Sequence, residues 1–170
     1  MLLNPLKGEK KMLVAPLLAL TLAVVSPSVD AKTSVSHKCT RNDAKVDLLA
    51  CAMYAESRGQ GKKGMAAVGN VVINRTDDSG YPNSVKGVLY QRGQFSYTGA
   101  GSFRAYDKES WEDAKVIAKK LLYLDANFPE VRKAADPTKG ATHFKKRTVR
   151  TAWQRDMVLV YRYKEHQFYK

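Results

Sequence analysis

Apolar positions recur with a helical period in three long stretches. In the first, from about Ala44 to Ser57, Val46, Leu49, Ala52 and Met53 fall at i, i+3, i+6 and i+7, one stripe of an amphipathic helix. Glu56 continues that stripe at the last turn. Asn42 or Asp43 is the expected cap, and Gly59 the expected left-handed residue that ends the helix. The second stretch, Lys62 to Arg75, has a broad apolar face made by Met65, Ala66, Val68, Gly69, Val72 and Ile73. A glycine inside a helix costs roughly 1 kcal/mol relative to alanine, so Gly69 implies a close approach by another part of the chain. The third runs from Lys108 to Asp125. Trp111, Ala114, Ile117, Ala118, Leu121 and Leu122 form its buried stripe, and Asp107 is its cap. Between the second and third, Asp77 to Asn83 is dense in turn formers. A short helix follows from Val85 to Tyr90, capped by Asn83 or Ser84.

Toward the C-terminus the texture becomes β-branched and aromatic. Ala141 to Lys145 reads as a strand and Met157 to Tyr169 as a hairpin. Helices first and strands last make an α+β fold, mainly helical, with a small antiparallel sheet near the C-terminus. Lys32 to Thr40 is polar without periodicity and reads as a loose leader; Thr98 to Ser102 reads as a mobile, glycine-rich link.

The N-terminus has a different character. Lys7, Lys10 and Lys11 precede an uncharged, largely apolar run from Met12 to Val25, and Val29 and Ala31 suit a cut after Ala31. This is the pattern of a secretory signal peptide over residues 1–31, leaving 32–170 as one domain; an uncleaved membrane anchor is the alternative. Removing three lysines and two acids from a net charge of +13 leaves +12. A basic exported protein suits an anionic polymer such as the cell wall, or an acidic membrane surface. Cys39 and Cys51 are the only cysteines, and in an exported chain a disulfide between them is expected; two free buried thiols are the alternative. Two cysteines and the scattered His37, His143 and His166 show no ligand spacing, so neither a metal nor a cofactor is expected.

Glu56 is the candidate for chemistry. Partial burial and the negative end of a helix dipole both penalise its ionised form and move it toward the range of a general acid. A salt bridge to Arg58 or Arg75 is the other reading, and Asn74 and Arg75 stand where they can reach back toward Glu56. Gln94-Phe95-Ser96-Tyr97, Thr142-His143-Phe144 and His166-Gln167-Phe168-Tyr169 mix rings with amides and hydroxyls, which suits a sugar-binding groove. Phe95, Phe144 and Phe168 also fit an ordinary core, and His143 a structural role.

These stretches resemble a family. Tyr54-Ala55-Glu56-Ser57-Arg58-Gly59, Val71-Val72-Ile73-Asn74-Arg75, Tyr81-Pro82-Asn83-Ser84-Val85, Val88-Leu89-Tyr90-Gln91 and Gly93-Gln94-Phe95-Ser96 are similar to successive motifs of the SleB-like cell wall hydrolases, which include spore-cortex-lytic enzymes. Asp136-Pro137-Thr138, Gly140-Ala141-Thr142-His143-Phe144 and His166-Gln167-Phe168-Tyr169 extend the resemblance, which covers residues 46–169. It implies a lysozyme-like domain that cuts the glycan strands of peptidoglycan, with Glu56 as the essential acid. Gln60 stands where relatives often carry a second acid, and Lys86 where some carry cysteine. Neither role carries over.

A water-using glycosidase needs two carboxyl groups flanking the bond. Asp107 and Asp136 are the candidates for the second, but they read equally as a helix cap and a turn starter. One acid suffices if the 6-hydroxyl of N-acetylmuramic acid is the nucleophile, as in a lytic transglycosylase, and that reading is preferred over a muramidase. Gln94, Phe95, Ser96, Thr142, His143 and Tyr169 are the candidate substrate contacts. A non-catalytic peptidoglycan-binding module and an exported basic nuclease or nucleic-acid binder are the readings from other classes; the second lacks a visible metal or histidine-based site. The expected location is periplasmic, wall-bound or extracellular.

Overall fold

The computed structural model describes residues 36–170, so the signal-peptide reading of residues 1–31 lies outside the described part. Among the described residues no helix is long and apolar enough to cross a membrane.

Three helices form the main core: α1 (Lys45–Ser57), α2 (Gly61–Asp77) and α4 (Lys108–Asn127). The single stripe expected for α1 is too narrow. Leu48 through Tyr54 are all buried, off-stripe Ala50 and Cys51 included, so α1 is the central helix, wrapped on every side. Small side chains at Ala50 and Ala52 let its neighbours close in. No side chain caps its first turn; Asp43 is instead turned toward Thr40, accepting from its backbone N–H at 3.1 Å and its hydroxyl at 2.7 Å.

α1 ends differently from expectation as well. Arg58–Gln60 adds a 3₁₀ turn, and the positive φ belongs to Gly61 (73°) rather than Gly59. α2 is the element shared by two cores. One face meets α1 and α4; the other, with Ala67, Val68 and Val71, packs on Ala141 and Phe168 of the C-terminal sheet. A Cβ at Gly69 would stand 2.7 Å from both Met53 Sδ and Leu121 Cδ1, so its bare backbone admits two side chains rather than another backbone. Both are flexible ends that can yield to one methyl group. Gly69→Ala is therefore expected to be near neutral in urea unfolding. Gly69→Val should cost about 1–3 kcal/mol through overpacking.

α3 (Val85–Leu89) and α4 start as the sequence indicates: Ser84 Oγ accepts from Gly87 N, and Asp107 Oδ1 from Ser110 N at 3.1 Å. α5 (Pro129–Ala135) is an element the periodicity misses, opened by a proline at its first position. Two further corrections concern the polar stretches. Residues His37–Thr40 are a strand, β1, and Ser102–Ala105 a second, β2. They pair antiparallel from His37 opposite Ala105 to Thr40 opposite Ser102. Thus neither the end of the leader nor the end of the expected glycine-rich link is unstructured. Cys39 and Cys51 are joined by a disulfide with Cα atoms 5.9 Å apart, tying β1 to α1.

The C-terminal sheet contains β3 (His143–Lys146), β4 (Leu159–Tyr163) and β5 (His166–Tyr169), antiparallel in the order β3-β5-β4. A bulge between Leu159 and Tyr161 shifts the β4 register. The fold is α+β, mainly helical, with its larger sheet at the C-terminus. A buried polar network joins the helices to that sheet. Asn74 Nδ2 donates to Asp136 Oδ2 at 2.9 Å and to the Ala141 carbonyl at 3.1 Å, while Arg132, 1% exposed, donates to Asn74 Oδ1 at 2.9 Å.

Candidate active site

Glu56 sits one residue from the end of α1, where the helix gives way to the 3₁₀ turn. Its position brings it out of the core and into the wall of an open groove of about 940 Å³. The groove is closed on the other side by the Tyr90–Gly99 segment and by β3 with the loop after it. Glu56 is half-buried, and burial raises its pKa above the ordinary carboxylate value, with the Lys146 charge acting in the opposite sense. Neither Arg58 nor Arg75 pairs with it; among the described residues its carboxylate has no salt bridge or hydrogen bond. Arg58 lies over the Tyr54 ring at 5.3 Å, and Arg75 donates Nε–H to the Thr142 carbonyl at 2.6 Å. Asn74 likewise points into the buried network instead of toward Glu56.

Of the expected contacts, Gln94, Phe95, Ser96 and His143 line the groove with Glu56. Gln94 and Ser96 are exposed and free to meet a ligand, whereas Phe95 is 3% exposed and forms the groove's floor, under the Arg75 guanidinium. Two expectations are corrected. Thr142 lines a separate cavity of about 790 Å³, beside Asp136 and Arg132; its hydroxyl lies 3.1 Å from His143 Nδ1. Tyr169 is buried in the sheet, donates its hydroxyl to Gln167 at 3.0 Å and packs edge-on to Trp153. Phe168 is wholly core, as its alternative reading held, and Phe144 links it to Phe95 through ring contacts of 6.0 and 6.5 Å.

The groove also gathers residues that sequence spacing did not mark: Arg41, Tyr90, Arg92, Lys145, Lys146 and Trp153. Lys145 is anchored by the Val149 carbonyl at 2.8 Å and Gln167 Oε1 at 3.0 Å, and Arg41 lies over the Tyr90 ring at 5.1 Å. His143 and His166 both have pKa values lowered by burial first and by a neighbouring cation second, Arg75 and Lys146 respectively. Both imidazoles are thus neutral at pH 7. Burial, with Tyr90 and Glu56 nearby, pushes the Tyr97 phenol far upward, so it remains a neutral hydroxyl.

Glu56 is the only carboxyl group on the groove wall among the described residues. Asp107 is committed to the α4 cap, accepting from Ser110 N–H and Ser110 Oγ–H. Asp136 is 6% exposed and holds the turn before β3 by accepting from the Thr138 N–H, the Thr138 hydroxyl and the Gly140 N–H. The arrangement is a carboxyl group whose pKa burial raises, set among cations, neutral imidazoles, amides and rings.

Known proteins share this framework. The fold matches the crystal structure of the catalytic domain of the Bacillus cereus SleB protein with a TM-score of 0.58 at 26% identity, covering 74% of this chain and 89% of that one. In sequence the chain is similar to a spore cortex-lytic enzyme of Bacillus cereus, 32% identical over 92 residues, 54% of this chain and 35% of that enzyme. It is also similar to the cell wall hydrolase CwlJ of Bacillus subtilis, 34% identical over 93 residues, 51% of this chain and 61% of that protein. The chain thus spans about a third of the length of the spore cortex-lytic relative. The fold is lysozyme-like, as the resemblance implied. The sequence model of the cell wall hydrolases matches residues 59–169, starting just past Glu56, and the chain belongs to the cell wall hydrolase family.

Proposed function

We propose that the chain is an exported enzyme that cleaves the glycan strands of peptidoglycan as a lytic transglycosylase, with Glu56 as its single acid and base. The observation that carries this reading is that Glu56, at the end of the central helix and with its pKa raised, is the one carboxyl group in the groove among the described residues. In its neutral form Glu56 protonates the glycosidic oxygen as the bond to the anomeric carbon breaks. The carboxylate so formed accepts the proton of the muramic acid 6-hydroxyl as that oxygen closes on the same carbon. The proton is returned, no water is consumed, and the product is a 1,6-anhydro sugar. A water-using enzyme would need a second carboxyl group across the bond; Asp107 and Asp136 are engaged elsewhere.

The lining suits such a strand. Trp153 and the half-buried Phe144 offer apolar faces for pyranose rings, and Gln94 and Ser96 offer polar groups for hydroxyl and acetamido substituents. Arg41, Arg92 and Lys146 suit the lactyl and peptide carboxylates that muramic acid carries, and the overall positive charge favours association with an anionic wall or membrane surface. An exported chain would then work in the periplasm, in the wall or outside the cell.

The direct test is digestion of purified sacculi with the fragments identified by mass spectrometry; glycosidic cuts with intact stem peptides are expected. The rate should also depend on pH with a definite sign. Glu56 must start protonated and burial raises its pKa, so activity is expected to persist above the ordinary carboxylate range and fall as pH rises through the raised value. Release of free peptides, with the glycan uncut, would contradict the reading.

A further inference from the structure

We propose that Arg75 selects a carboxylate carried directly on the sugar, so that the preferred strand is one whose muramic acid has already lost its stem peptide. The inference rests on the glycan-cleaving reading above and names the form of substrate. Arg75 Nη1, Gln91 Oε1 and His166 Nδ1 are buried without a hydrogen-bond partner among the described residues, and all of them belong to residues that line the groove. Buried polar atoms are nearly always paired, so orphans gathered along one groove mark where a ligand supplies the missing partners. Arg75 is the one that carries a charge. It is 4% exposed, and its Nε–H bond to the Thr142 carbonyl is its one hydrogen bond among the described residues. The Tyr81 and Phe95 rings, at 5.1 and 5.7 Å, offset part of the cost of burying it. Burial lowers its pKa, yet a guanidinium keeps its proton at any pH the protein meets. A buried cation with no carboxylate beside it is strongly unfavourable, and an anion arriving in the groove removes that penalty.

Depth decides which carboxylate this is. Arg41, Arg92 and Lys146 are exposed and can follow a mobile peptide out into solvent. Arg75 is held inside, over Phe95, where only a group joined to the sugar by a short link can reach. The lactyl group on O3 of muramic acid is such a group. While a stem peptide is attached, the lactyl carbonyl belongs to an amide and offers one neutral oxygen. Hydrolysis of that amide puts the hydroxyl of water on the lactyl carbon and its hydrogen on the departing amine. The sugar then carries a carboxylate, whose two oxygens and negative charge match the guanidinium fork. Gln91 Oε1 is an acceptor suited to the acetamido N–H of the same strand. The reaction that supplies the preferred substrate is therefore an amide hydrolysis that strips stem peptides from the glycan.

The test uses the full chain carrying Glu56→Gln, so that strands are held rather than cut, and glycan strands from sacculi in three forms. One form keeps its stem peptides, one is stripped by an amidase, and one is stripped and then has its lactyl carboxylates converted to methylamides. Binding is read by calorimetry. The stripped strands should bind about tenfold or more tighter than either of the others, the effect of one charge-assisted contact. Arg75→Gln, added to Glu56→Gln, should bring the three affinities to within about twofold of one another, and Arg75→Lys should keep only part of the preference, because an ammonium lacks the fork. If Arg75→Gln does not fold, the methylamide strands still decide, since they alter the ligand and leave the protein as it is. With Glu56 restored, the same order should appear in cleavage, mainly in KM. A chain that cuts none of the strands contradicts the glycosidase reading, and the affinities then decide the Arg75 inference by themselves. The inference is overturned if methylamide or peptide-bearing strands bind as tightly as stripped ones, or if stripped strands do not bind.

Discussion

Glu56→Gln is expected to lower the rate of glycan release from sacculi by about 10⁴-fold or more, with the fold intact. Positioned acid–base catalysis by one group is worth about 10²–10⁴, and here one side chain is asked to act first as acid and then as base. Glutamine keeps the shape and can still donate a hydrogen bond, but it has no carboxyl proton to transfer. Stability should move the other way, and the sign follows from the raised pKa. In the unfolded chain Glu56 ionises at its ordinary value; in the folded chain burial delays ionisation to a higher pH. Folding stability contributed by the neutral carboxyl is therefore full below the unfolded pKa and is lost as pH rises through the folded one. At neutral pH the native protein bears the cost of a half-buried carboxylate, which Glu56→Gln removes. Thermal melts at pH 7 should show the variant at least as stable as the parent, and its advantage should shrink toward pH 4. A destabilised variant with proportionally reduced activity would make Glu56 a structural residue.

The second large effect is expected at Arg132, which does not line the groove. Its guanidinium is 1% exposed; it donates to Asp77 Oδ2 at 2.7 Å and to Asn74 Oδ1 at 2.9 Å, and its Nε is ion-paired with Asp125 Oδ1 at 2.9 Å. Removing one partner of a fully buried ion pair costs about 3–5 kcal/mol. Here the side chains of Asp77 and Asp125 are 40% and 21% exposed and can rehydrate, so the expected cost of Arg132→Met is lower, roughly 2–3 kcal/mol. That corresponds to a fall in melting temperature of about 4–12 °C for a chain of this size. Asn74 loses its donor in the same change. Because Asn74 also holds Asp136 and the Ala141 carbonyl, the turn leading into β3 should loosen, and β3 carries the His143 and Lys146 side of the groove. Arg132→Lys should recover only part of the loss, since an ammonium cannot span three acceptors set in a fork.

The legible parts of the fold were those governed by local rules. α4 follows from its stripe and the Asp107 cap, α3 from Ser84, and the C-terminal hairpin from alternation. Elements that depend on distant chain were not legible. β1 and β2 are polar and only four residues each, and pairing of His37 with Ala105 joins segments separated by the whole α1–α3 region. The depth of α1 escaped because Ala50 and Cys51 lie off a one-faced stripe, and only tertiary packing shows that all its faces are covered. The site divided in the same way. Glu56 was marked by its own position on α1, and Gln94, Phe95 and Ser96 by their aperiodic, aromatic setting. Thr142 and Tyr169 were misplaced because sheet registration, not composition, decides which cavity a strand residue meets. Lys146 and Trp153 carry no local signal; β3 and the loop after it bring them into the groove with Glu56.

Digestion of sacculi in water enriched in oxygen-18 tests the central claim most directly. If the muramic acid 6-hydroxyl is the nucleophile, the new chain ends should carry the 1,6-anhydro bridge, resist borohydride reduction and contain no heavy oxygen. Reducing ends that incorporate oxygen-18 at the anomeric carbon would show water as the nucleophile and contradict the single-carboxyl transglycosylase account.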